Sequence, residues 1–125
     1  MSIERNKMDD ALKKEFVPKL RELGFKGSYP HLRKKGKECV EIIGVQFSQW
    51  GPQFYIEIAK GPIEGVDIIN GKHVEANKLK HYHPGKRMRV GDLPFDYSGK
   101  NFQEIAAKAS TTIEEITAWF EAKDS

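Results

Sequence analysis

Cysteine is almost absent. Cys39 is the only one in 125 residues, so no intrachain disulfide can form and the core must hold the fold. No run of about 18 apolar residues occurs, so no segment has the length of a membrane-spanning helix. Neither sign of charge prevails. The 21 Lys and Arg against 18 Asp and Glu leave a net +3, little for a nucleic-acid binder, which favours a clustered basic surface. Catalytic fingerprints are missing too: there is no His-Glu-x-x-His, Cys-x-x-Cys, Gly-x-Ser-x-Gly, P-loop or Gly-x-Gly-x-x-Gly. Motifs for zinc, thiol redox chemistry, an activated serine and nucleotide phosphates are therefore excluded. Met1–Lys7 lacks the apolar core of a secretory leader. Cys39 begins an apolar run and reads as a buried, inert thiol. The expectation is a cytoplasmic protein without a cofactor.

What is present is the composition of a globular domain, 38% hydrophobic and 31% charged, and the length of a single domain over residues 1–125. The clearest local signal runs from Glu38 to Lys60. Two stretches rich in β-branched and aromatic residues flank Trp50-Gly51-Pro52, which predicts an antiparallel hairpin. In the second stretch Phe54, Ile56 and Ile58 alternate with Tyr55, Glu57 and Ala59, and the first set is expected against helices. In the first stretch the apolar phase changes at Gly44, where a bulge or close packing is expected.

Helical spacing brackets this hairpin. Met8, Leu12, Phe16, Leu20 and Leu23 predict a helix over Met8–Leu23 that stops at Gly24 and is kinked or divided by Pro18. Phe102, Ile105, Ala109, Ile113, Ile116 and Phe120 predict a C-terminal helix. Asn101 with Glu104, and Thr112 with Glu115, resemble capping boxes, and the second implies a break at 110–112. Gly27–Lys35 reads as an edge strand because of Pro30. Asn70-Gly71 suggests a two-residue hairpin turn, and Lys86–Val90 predicts a strand with Met88 and Val90 inward and Arg87 and Arg89 outward. The fold expected is α+β, an antiparallel sheet of about four strands with the N- and C-terminal helices packed on one face.

The feature order resembles a known family. Pro18-x-Leu20-x-x-Leu23-Gly24-Phe25-Lys26 is followed by Tyr29 and Arg33. Then come Val45-Gln46-x-Ser48-x-x-Gly51-x-x-Phe54-Tyr55-Ile56 and, later, Arg87, Arg89 and Gly91. The chain is similar to small bacterial proteins grouped as domain of unknown function 4304. Where those proteins carry a tryptophan-rich step after the late arginine, this chain has Leu93-Pro94-Phe95-Asp96-Tyr97. The resemblance implies a compact α+β fold and a bacterial origin, and it supplies no substrate.

Three functional readings stand at this level. The first is a non-catalytic binding or accessory module, of immunity type by analogy, taking a protein or small anionic ligand on the helix-free sheet face. Its candidate residues are Trp50, Gln53, Tyr55, Arg87 and Arg89, because aromatic, amide and guanidinium groups converge there by the predicted register. The second is nucleic-acid binding through a basic sheet face, drawing on the clusters Arg33, Lys34, Lys35, Lys37 and Lys78, Lys80, Lys86, Arg87, Arg89, with Tyr82, Tyr55 and Trp50 as stacking aromatics. The third is a metal-dependent enzyme built on His81 and His83, which share a face if that segment is extended, with His73, Asp92 or Asp96 completing the site.

Overall fold

The computed structural model describes residues 3–36, 39–68, 71–80, 86–90 and 94–122. The first helical segment is two helices, α1 (Ile3–Glu15) and α2 (Val17–Glu22), with Phe16 between them. Pro18 lies in the first turn of α2, where its missing N–H costs nothing and its fixed φ suits the helix. Division therefore replaces a kink. Met8, Leu12, Phe16 and Leu20 are buried, whereas Leu23, expected on the same stripe, is 41% exposed. The reason is how the helix ends. Gly24 takes φ 102°, its N–H bonds to Arg21 O, and the Phe25 N–H reaches back to Leu20 O. This Schellman ending turns the chain so that Phe25 enters the core in place of Leu23.

The sheet is antiparallel throughout. Strands β1 (His31–Lys35), β2 (Cys39–Phe47) and β3 (Gln53–Pro62) form a meander. A small hairpin, β4 (Val66–Asp67) with β5 (His73–Val74), follows. Then β6 (Lys86–Arg89) and β7 (Phe95–Asp96) both pair with β3. The main sheet thus has five strands, in the order β1-β2-β3-β6, with β7 also on β3. The fifth, β7, is only two residues long, too short to carry a period. Pro30 precedes β1, and Lys26 bridges Arg33 on the outer side of that edge.

No bulge forms at Gly44. The β2–β3 register is unbroken from Cys39↔Pro62 to Phe47↔Phe54. The apolar phase changes there because both faces of β2 are buried at different points. Ile43 and Val45 join the main core, while Val40 and Ile42 join a second cluster with Ala59 and Leu79. Cys39 is half-buried at the start of β2 rather than fully enclosed.

The C-terminal stripe is also divided, into α3 (Phe102–Ser110) and α4 (Ile113–Glu121). Neither predicted capping box forms. Asn101 Nδ2 donates instead to Glu104 Oε2 at 3.4 Å, and Thr112 Oγ1 donates back to Ala109 O at 2.6 Å. Ser110, buried at the break, lies 3.0 Å from Ala106 O and 3.1 Å from Glu15 O. It ties the end of α3 to the end of α1. Ile105, Ala106, Ala109, Ile116 and Phe120 pack with α1 and α2 on one sheet face, against Phe54, Ile56 and Ile58.

The opposite face is half covered, which corrects the expectation of a free surface. The segment from β4 to Leu79 folds back over Val40, Ile42 and Ala59, with Val66, Val74 and Ala76 packed on them. The turn inside that segment closes with Ile68 N–H on Lys72 O, so it is longer than the two-residue Asn70-Gly71 form. Among the described residues no helix is long and apolar enough to cross a membrane.

Two measurements check this architecture. Phe54 is fully buried and stacks on Phe95 at 5.0 Å. Phe54→Ala should cost about 3–5 kcal/mol in urea unfolding, and a loss under about 1 kcal/mol would contradict its place at the centre of the core. The β4–β5 hairpin carries an exposed pair, His73 Nδ1 to Asp67 Oδ1 at 2.7 Å. That hydrogen bond raises the His73 pKa above its ordinary 6.5. The pair's support is therefore complete below about pH 6.5 and is lost as pH rises through the raised value. Corrected amide exchange at Val66 and Val74 should accelerate across that window in the wild type but not in Asp67→Asn. Being solvated and screened, the pair should leave the global melting temperature unmoved.

Candidate functional site

Alternation along β3 sends Gln53, Tyr55 and Glu57 to the helix-free face. Opposite them across β2 stand Gln46, paired with Tyr55, and Gly44, paired with Glu57. On the other side Arg89 pairs with Glu57. The Arg89 guanidinium lies over the Tyr55 ring, 3.9 Å from its centroid, and its Nε donates to Glu57 Oε1 at 2.5 Å. The Glu57 side chain is 7% exposed and that of Arg89 54%. A carboxylate is thus buried under a partly solvated arginine, which is clamped on an aromatic face. One flat contact and a charge-assisted hydrogen bond hold that guanidinium in one place.

The β2–β3 turn projects beyond this clamp. Trp50 is 89% exposed at its tip, and its backbone N–H donates to Ser48 Oγ at 3.0 Å. Between tip and clamp lies an open hollow of about 440 Å³, lined by Gln46, Ser48, Gln49, Trp50, Tyr55 and Arg89. On the other flank of the same turn a second hollow, about 540 Å³, meets Arg5, Tyr97 and Lys100. The tip is a ridge between two hollows. Burial raises the Tyr97 phenol above its ordinary range, so it presents a neutral wall.

The sequence-based candidates do not all meet. Trp50, Tyr55 and Arg89 share the first hollow. Gln53 sits nearer the turn and donates to Asp96 Oδ2 at 3.4 Å. The Asp96 carboxyl is held below its usual range by hydrogen bonds from Ser98 and then from Gln53. Arg87 pairs with Ala59, two residues along β3 from Glu57 and about 13 Å along the strand from Tyr55. It shares the face but not the hollow. Glu57, expected beside Tyr55 and within reach of the late arginines, is the residue that Arg89 pairs with. Its signal was a lone carboxylate in an apolar strand, at a position the register sets opposite an arginine.

His81, His83 and Asp92 lie outside the described residues. Among the described residues no group of three His, Cys, Asp or Glu side chains is placed to hold a metal. His73 is on the β4–β5 hairpin with Asp67, and Asp96 is on β7.

The clamp makes a testable statement about stability. Arg89→Ala strands the Glu57 carboxylate and should cost about 1–3 kcal/mol. The exposed Arg87→Ala should stay within about 0.5 kcal/mol. The double variant Glu57→Gln/Arg89→Met should recover part of the loss in chemical denaturation. Equal effects of the two arginine variants would dismiss the clamp.

Residues 16–123 match the model of a family described as "Domain of unknown function (DUF4304)". No curated protein and no solved structure matches the chain.

Proposed function

The chain belongs to the domain of unknown function family DUF4304, and on that premise we propose that it is a non-catalytic, cytoplasmic binding module that docks a protein partner through the β2–β3 tip. The observation that carries this reading is Trp50, 89% exposed on a turn whose strands are rigidly paired. A large aromatic side chain held in water brings wide contact area with few rotors to lose, and such residues dominate interface energies. The hollow between tip and clamp is lined mainly by polar groups and lacks an apolar floor to hold the body of a small molecule, which suits a protein surface better. Arg89, fixed on Tyr55, places a cation beside the aromatic anchor, and Arg87 adds a second farther along the same face, so the partner surface carries acidic groups around an apolar pocket. An immunity-type role is one form of such docking, by analogy with other small stand-alone domains.

Nucleic acid fits the same face less well. Base binding uses free aromatic faces in series. Here one face of Tyr55 is taken by Arg89, leaving Trp50 as the largely exposed aromatic among the described residues.

The test is affinity capture from the native host, with recovery of the captured protein quantified for three forms. Trp50→Ala should lower recovery by about tenfold or more, as loss of an interface anchor does. Arg87→Ala should lower it less, and both should melt like the wild type. Unchanged recovery from both removes this site. Salt-sensitive retention of RNA that Arg87→Ala abolishes would replace the reading with the nucleic-acid one.

A further inference from the structure

A separate hollow lies at the other end of the helix-free face, about 650 Å³ between the β1 edge and the β4–β5 segment. One wall carries Lys26, Arg33 and Lys35; the floor is apolar, from Val40, Ile63 and Ala76. Glu64 and Glu75 stand opposite. We propose that this groove binds a small organic anion, a carboxylate or phosphate ester, with its oxyanion on Arg33 and its apolar body on the floor.

Arg33 is the reason. It is half-buried, and its Nε donates to the carbonyl of Leu79. Its Nη1 sits where Gly27 has no side chain, since a Cβ there would stand 3.1 Å away. The guanidinium is therefore positioned from two sides before any ligand arrives, and it has no carboxylate partner among the described residues. Burial lowers its pKa below the ordinary guanidinium value, the mark of a cation short of compensating charge. An oxyanion at the free Nη edge relieves that deficit and takes a charge-assisted, bidentate geometry. Lys26 and Lys35 flank it as additional point charges. Glu64 and Glu75 make the far wall unfavourable for a second anionic end, so the ligand is anionic at one end only. The volume lies within the roughly 300–1,000 Å³ range of small-molecule sites. A backbone outlet is available as well. Arg33 uses its N–H and C=O on Lys26, so those of Lys35, two residues on, also point away from β2 at the sheet edge.

The experiment is an amide-resolved NMR titration with octanoate and with phenyl phosphate, against octanamide and inorganic phosphate as controls. Both organic anions should saturate shifts at Lys26, Gly27, Arg33, Glu64 and Ala76, with octanamide and inorganic phosphate at least about tenfold weaker. Arg33→Gln should weaken both organic anions by about tenfold or more, whereas Lys108→Gln, an equal charge loss on α3, should change nothing. Ala76→Trp fills the floor and should block binding with Arg33 intact, which decides the matter if Arg33→Gln unfolds. The proposal falls if neither anion saturates, or if inorganic phosphate binds as tightly as they do. Shifts at Trp50 instead of the groove, or full binding by Ala76→Trp, would overturn it equally.

Discussion

The β2–β3 ladder is the constraint on which everything else is arranged. It pairs nine residues without interruption, and it is buried on both faces over part of its length. Because successive side chains alternate, sliding this pair by one residue would exchange its two apolar sets between unlike environments. One face demands the large residues that α1 to α4 cover; the other demands the smaller cluster under the β4–β5 segment. Register, helix placement and the position of the second layer are thus a single choice.

That choice also locates both candidate sites. Gly44 leaves the row between His31 and Glu57 without a side chain on β2, so Glu57 can lie low and be capped by Arg89 from β6. At the covered end the same face meets β1, where Arg33 and Lys35 stand beside Ile42 and Val40. The face is divided by what covers it: a clamp and an aromatic ridge at one end, a cationic wall over an apolar floor at the other. One sheet surface offers two chemically different environments because the segment from β4 to Leu79 covers only half of it.

The elements legible in the sequence were those whose period repeats often enough to be unambiguous. Phe54, Ile56 and Ile58 revealed their face, and the stripes through Leu12 and Phe16 and through Ile105 and Ile116 revealed the helices. Pro18 and the Ser110-Thr111-Thr112 run marked real divisions, because missing donors and competing hydroxyls interrupt a helix wherever it lies. What could not be read depends on distant partners. The strand β7 is two residues stabilised by Phe54 stacking on Phe95. The phase change in β2 resembled a bulge because nothing local announces a second layer. Leu23 fitted the stripe by spacing and left it because Gly24 redirected the chain. For the sites, Tyr55 and Arg89 were recognisable as outward residues on neighbouring strands. Their register with Glu57, which sets Arg87 apart, is a property of the sheet and not of either segment. Arg33 is legible as part of a basic turn and of the family pattern, but not as a positioned guanidinium, since the carbonyl that holds it comes from Leu79.

Both rims of the main sheet are broken up. On one side the bridge from Lys26 occupies Arg33 in the middle of β1. On the other, β6 offers four residues and β7 two, with arginines along the longer piece. An unpaired rim is a template on which a second copy can add a strand, and charged, short or blocked rims deny it one. Among the described residues no uninterrupted stretch of bare backbone on these rims is long enough to seed a cross-β stack. The same fragmentation that makes the far strands hard to discern in the primary structure protects the folded chain from fibril growth at high concentration.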